Sequence, residues 1–94
     1  MNEAFSLRGY ASGDDAKRAI LAALPLGTSR RAVAEWLERS GISCFPGNIR
    51  DPYIACRVIE PSSSMVHTVW SLGFFFNERR ELERIEVNKD LTGP

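Results

Sequence analysis

One histidine, His67, and two cysteines, Cys44 and Cys56, are the only imidazole and thiol groups in this 94-residue sequence. A metal site needs three or four such groups at close spacing, so neither a metal nor any other cofactor is expected. An excess of charge of one sign is also missing, because 12 Lys and Arg are matched by 12 Asp and Glu. With no general field to gather phosphates, nucleic acid is not an expected partner. Apolar stretches such as 69–76 fall far short of the roughly 20 residues that a membrane helix needs, so no transmembrane segment is expected. No basic start with a following apolar run lies near Met1. Read with Met1 as the natural start, the chain is expected to be soluble and cytoplasmic. The glycines at 9, 13, 27, 41, 47, 73 and 93 match no phosphate-binding spacing.

What is present suits one small domain. A chain of this length supports a single core, and its stability should be about 5–14 kcal/mol. Residues 1–13 mix Phe5, Leu7 and Tyr10 with Gly9, Ser12 and Gly13, a pattern for an irregular arm. From Asp14 the pattern becomes helical. Ser12 or Asp14 serves as cap, Asp15 complements the positive first turn, and Ala16, Ile20, Ala23 and Leu24 share a face until Pro25 stops the run. Thr28 or Ser29 then caps a second helix with Val33, Trp36 and Leu37 as its apolar stripe, ended by Ser40-Gly41.

Beyond Gly41 the propensities turn to β-branched and aromatic residues. Strands are expected at 42–45, 53–59, 66–76 and 82–88, joined by loops at 46–52, 60–64 and 77–81. Short connections favour an antiparallel meander. The expected fold is therefore α+β over 14–94: two N-terminal helices packed on one face of a three- to four-stranded antiparallel β-meander.

Alternation in the long strand puts Trp70, Leu72, Phe74 and Phe76 on one face, with Ile54, Cys56, Val58, Ile85 and Val87 joining them from its neighbours. The other face collects Val69, Ser71, Gly73 and Phe75, with Tyr53, Arg57 and Ile59 on one side and Arg84 and Glu86 on the other. Gly73 within a strand suggests a bulge or bend, or else the close approach of a partner. An outward Phe75 among Tyr53, Arg57 and Val69 has the composition of an interface anchor, unless the N-terminal arm folds over it. If the chain turns back through Pro46, Gly47 and Asn48, Cys44 and Cys56 could close a loop of roughly 13 residues as a disulfide contributing about 3 kcal/mol in an oxidising compartment. Two reduced thiols filling space are the equal alternative.

Catalytic groupings are thin. His67 adjoins Ser62, Ser63 and Ser64, and a triad with Ser64 and Glu60 can be drawn, but no spacing enforces it. Asp14 and Asp15 are explained by helix capping and dipole complementarity. Arg79, Arg80 and Arg84 are interleaved with Glu78, Glu81 and Glu83, which cancels most of their field. No catalytic residue and no enzymatic activity are expected.

The order Leu24-Pro25-Leu26-Gly27-Thr28-Ser29, a helix with Val33 and Leu37, Gly41, a strand with Trp70, then Phe74-Phe75-Phe76-Asn77 and Leu82-Glu83-Arg84-Ile85 resembles the SmpA/OmlA (BamE-like) family of small outer-membrane lipoproteins in β-barrel assembly. The resemblance spans about 14–88 and extends to one unit of the β-lactamase inhibitor proteins, which grip an enzyme with the open sheet face. It implies helices packed on a sheet and a bacterial protein that works by binding another protein. The sequence departs from the lipoprotein pattern in lacking an export signal and a lipidated cysteine. With an upstream signal, the expected location becomes the periplasm or the outer-membrane surface. The expected function is a non-enzymatic protein-binding module, monomeric or weakly dimeric, using Tyr53, Arg57, Val69, Ser71, Gly73, Phe75, Arg84 and Glu86. An inhibitor or immunity-type protein is the alternative, and a small ligand-binding domain or enzyme a further one.

Overall fold

The computed structural model describes residues 7, 10–45, 52–60 and 67–92. Two helices, α1 (Gly13–Ala23) and α2 (Arg30–Arg39), precede three strands, β1 (Tyr53–Glu60), β2 (His67–Phe76) and β3 (Leu82–Thr92). The strands form one antiparallel sheet in the order β1-β2-β3, so the chain is α+β.

Each helix starts and stops where its sequence supplies partners for orphaned backbone groups. The Ser12 hydroxyl accepts from the Asp15 amide at 3.2 Å, with Asp14 and Asp15 in the first turn of α1. At the far end the Leu24 amide donates to the Ile20 carbonyl before Pro25 halts the helix. Ser29 accepts from the Ala32 amide at 3.1 Å to start α2. The end of α2 is a Schellman motif: Gly41 lies at φ 70°, its amide donates to Glu38, and the Ile42 amide donates to Leu37. Ile42 packs against the core there. Along α1, Ala16, Ile20 and the following Leu24 are buried, whereas Ala23, expected on the same stripe, is exposed; Leu21 takes the flanking position against the core.

The linker between the helices is sewn to the β2–β3 turn. Gly27 donates to the Leu82 carbonyl, Leu82 to Thr28, and Arg30 to Arg80, at 2.7–2.8 Å. In that turn the Asn77 side chain accepts from the Arg79 and Glu81 amides, which offsets the left-handed conformation of Arg80 at φ 60°. A register shift follows at once: Phe76 opposes Leu82 and Phe75 opposes Arg84, so Glu83 has no opposite residue. This β-bulge resets the alternation, which is why Leu82 and Ile85, three apart, are both buried.

The core gathers Trp70, Leu72, Phe74 and Phe76 from β2, Cys56 from β1, Leu82 and Ile85 from β3, and Ala16, Ile20, Val33 and Leu37 from the helices. Helix α1 lies against β3, close enough that a β-carbon on Gly13 would collide with the Val87 carbonyl. Leu7 is buried in the same core and the half-buried Tyr10 packs on it, so these two residues of the expected arm join the core and its cover. Lys89 ties the neighbouring segment down, donating to the Tyr10 carbonyl at 3.1 Å and lying 5.3 Å from the Trp70 ring.

The strand expected at 42–45 is reduced to one antiparallel bridge, Cys44 opposite Cys56, with Phe45 donating to Ala55 and Arg57 to Ser43. The named sheet is thus three-stranded. The Schellman turn holds the chain at the end of α2 as far as Ile42, which leaves only the next three residues extended alongside β1. Cys44 and Cys56 are joined as a disulfide. They occupy a non-hydrogen-bonded pair, where opposite side chains come closest. The expected turn at Pro46, Gly47 and Asn48 lies outside the described residues, as do Phe5 and Gly9 of the arm.

Candidate functional site

The register fixes which outward residues are neighbours. On the face opposite the core they form four rows across the strands: Tyr53, Phe75 and Arg84; Ala55, Gly73 and Glu86; Arg57, Ser71 and Asn88; Ile59, Val69 and Asp90. The structure therefore brings together all eight positions expected on this face. Ser43 and Phe45 extend the third and second rows beyond β1, because their backbone bonds set them beside Arg57 and Ala55.

The first row is a contact chain. The Tyr53 and Phe75 rings are 6.1 Å apart at an interplanar angle of 33°, and the Arg84 guanidinium lies 4.3 Å from the Phe75 centroid. Glu86 holds Arg84 from the other side at 3.7 Å. With both charged side chains more than half exposed, that pair contributes at most a few tenths of a kcal/mol and serves mainly to aim the guanidinium. Cation–π attraction at such a site adds about 0.5–1 kcal/mol. Phe75 is consequently half-buried by its own neighbours, while Tyr53 remains 48% exposed.

Gly73 has a definite local use. A β-carbon there would sit 3.1 Å from the Phe75 ring, so the ring occupies the space that a side chain would fill. The register shift expected near Gly73 falls instead between Phe75 and Phe76, and any approaching surface meets the Phe75 ring before the Gly73 backbone.

Two exposed apolar groups were missed as site residues. Ile59 is 58% exposed at one corner, and Phe45 is 57% exposed at the outer edge with the Arg57 guanidinium 5.8 Å from its ring. Together with Ser43 and Cys44 they line an open depression of about 480 Å³. Alternation already placed Ile59 outward. For Phe45 the only signal was the cysteine pairing, which sets it opposite Ala55 once the bridge is made. Asn88 and Asp90 also join the face, since β3 runs four residues beyond its expected end.

Among the described residues, the other candidate groups make separate structural contacts. The Glu60 carboxylate accepts from the Trp70 indole at 3.1 Å, which ties it to the core. Ser62, Ser63, Ser64 and the His67 side chain lie outside the described residues. Asp14 and Asp15 sit in the first turn of α1. Arg79 and Arg80 belong to the β2–β3 turn, whereas Arg84 is engaged over Phe75. A smaller depression of about 220 Å³, lined by Leu37, Glu38, Ile42 and Ile54 among others, opens between the end of α2 and β1. Among the described residues, no helix is long and apolar enough to cross a membrane.

The outer sheet face can therefore offer an open surface of aromatic rings, one guanidinium stacked on a ring, aliphatic corners and groups that donate and accept hydrogen bonds. Comparison of the chain with protein families, with curated proteins and with solved structures finds no match.

Proposed function

We propose that this chain is a non-enzymatic protein-binding module that holds a protein partner on the outer face of its sheet, while both helices cover the inner face. The observation that carries the reading is the row Tyr53, Phe75 and Arg84, two rings and a guanidinium in mutual contact at the surface. Tyr and Arg are the side chains most enriched where truncation weakens association, because they bury large rigid areas yet keep a polar handle. The small Ala55 next to this row lets an opposing side chain descend towards β1, while the Phe75 ring covers Gly73. The open, mixed surface, whose depression beside Phe45 is shallow and unenclosed, suits another protein better than a small molecule, which is usually enclosed in a concave site.

A place in the bacterial cell envelope, in the manner of the BamE-like proteins, belongs to the same proposal. Its supports are the sequence resemblance and the Cys44–Cys56 disulfide, a bond that persists in oxidising compartments. An inhibitor or immunity-type role would use the same face.

The test is paired. Phe75→Glu and Tyr53→Ala should leave the chain folded by circular dichroism yet weaken capture of its partner by tenfold or more, about 1.4 kcal/mol. Lys17→Glu on α1 should not affect capture. Unfolding by Phe75→Glu, or capture indifferent to both face variants, would remove the reading.

A further inference from the structure

The four rows carry a pattern that neither their composition nor their exposure alone reveals: the face is complementary to itself. Consider a two-fold axis lying in the face, perpendicular to the strands, between the second and third rows. It superposes β1 of one copy on β1 of the other, and likewise β2 and β3, with strand direction reversed. The first row then meets the fourth, placing Tyr53 on Ile59, Phe75 on Val69 and Arg84 on Asp90. The second row meets the third, placing Ala55 opposite Arg57, Gly73 opposite Ser71, and Glu86 opposite Asn88.

The pairs at the ends and along β3 are chemically matched, and the central small residues add no clash. Aromatic groups lie on aliphatic ones, and opposite charges face each other twice, once at each end. A carboxylate meets an amide that can donate to it, and the long Arg57 faces the methyl of Ala55, which leaves it room. We infer that the protein partner of this face is a second copy of the same chain, joined as a two-fold dimer through these rows. This rests on the reading of the outer face as a protein-binding surface and names what it binds.

The alternative two-fold, parallel to the strands, sets the apolar β1 side against the charged β3 side. It buries Ile59 under Asp90 and leaves Arg84 on Tyr53, so no opposite charges pair across those ends. With strands about 4.8 Å apart and rows about 6.8 Å apart, three strands and the 43–45 edge span about 500 Å² per copy. Two copies bury about 1,000 Å², at the lower limit of specific interfaces, so the dimer should be concentration-dependent. Facing sheets pack in this manner at about −30° because each is twisted.

Sedimentation velocity of the full chain, from micromolar to millimolar protein, tests the arrangement. The wild-type chain should shift from monomer to dimer across that range. Arg84→Glu alone and Asp90→Arg alone should each associate at least about tenfold more weakly, because like charges then meet at both ends. An equimolar mixture of these two variants should recover dimer. At one end the introduced carboxylate of the first variant meets the introduced guanidinium of the second, while the native Arg84 and Asp90 still face each other at the opposite end. Circular dichroism and thermal midpoints check that each exposed substitution leaves the chain folded. A wild-type chain monomeric throughout, or a mixture that stays monomeric, overturns the dimer. If the wild type is monomeric while Phe75→Glu abolishes capture of a different protein, the dimer falls and the binding face stands. Self-association unaffected by Phe75→Glu removes the dimer through this face, and capture of every other protein unaffected by the same variant removes the binding face as well.

Discussion

Gly13→Ala sets two effects of comparable size against each other. Glycine at the first position of α1 has no side-chain contact of its own, so helix propensity and the lower entropy of the unfolded alanine chain favour the substitution by about 0.4–1 kcal/mol. Packing opposes it. A β-carbon at residue 13 collides with the Val87 carbonyl oxygen, a backbone atom of β3 whose position is fixed by pairing with Leu72 of β2. Relief requires α1 to lift away from β3, where Ala16 and Ile20 are fully buried, and overpacking of this kind costs about 1–3 kcal/mol. The clash should win, for a net loss of about 1–2 kcal/mol. For a domain of this size that lowers Tm by about 4–16 °C, read by thermal and urea denaturation monitored by circular dichroism. Ala22→Gly, at an exposed position of the same helix, should also destabilise, by about 1 kcal/mol, so the same exchange costs stability in both directions. An unchanged or higher Tm for Gly13→Ala would refute the close seating of α1 on β3.

Trp70→Ala should cost about 3–5 kcal/mol in urea titration, because the side chain is fully buried and its indole N–H bonds Glu60. Phe75→Glu should cost markedly less, since Phe75 is only half-buried; equal losses would contradict the division into inner and outer faces. Cys44→Ser, or reduction by a dithiol, should lower stability by about 3 kcal/mol through the freed loop, seen as a Tm that differs with and without reductant. Ser29→Ala should remove about 1 kcal/mol by uncapping α2.

The sheet face was legible because its signals are local. A period of two places Val69, Ser71, Gly73 and Phe75 opposite Trp70, Leu72, Phe74 and Phe76 whatever the rest of the chain does. Burial follows that division: Trp70, Leu72, Phe74 and Phe76 are buried and their alternates are not. Phe45 escaped because its position depends on a contact with residues ten or more positions away. Asp90 escaped because β3 has no turn signal at its expected end, and the ladder with β2 simply continues to Thr92. The bulge at Glu83 was invisible for a related reason. It arises from fitting the Asn77–Glu81 turn to both strands at once, and neither strand records it alone.

By itself, then, the sequence determined where helices begin and end to within a residue or two, with Ser12 or Asp14 and Thr28 or Ser29 as caps and Pro25 and Gly41 as stops, and which strand residues share a face. Those properties depend on neighbours within one turn or two residues, so the chain order encodes them directly. Tertiary structure decided the row each outward residue occupies, the filling of the Gly73 gap by Phe75, the joining of Leu7 and Tyr10 to the core and its cover, and the place of Phe45 beside Ala55. These depend on register and on distant contacts, set when the core closes around Trp70 and Cys44 joins Cys56. Complementarity of the outer face with itself is of the second kind, because it exists only once Arg84 and Asp90 stand at opposite ends of the same surface.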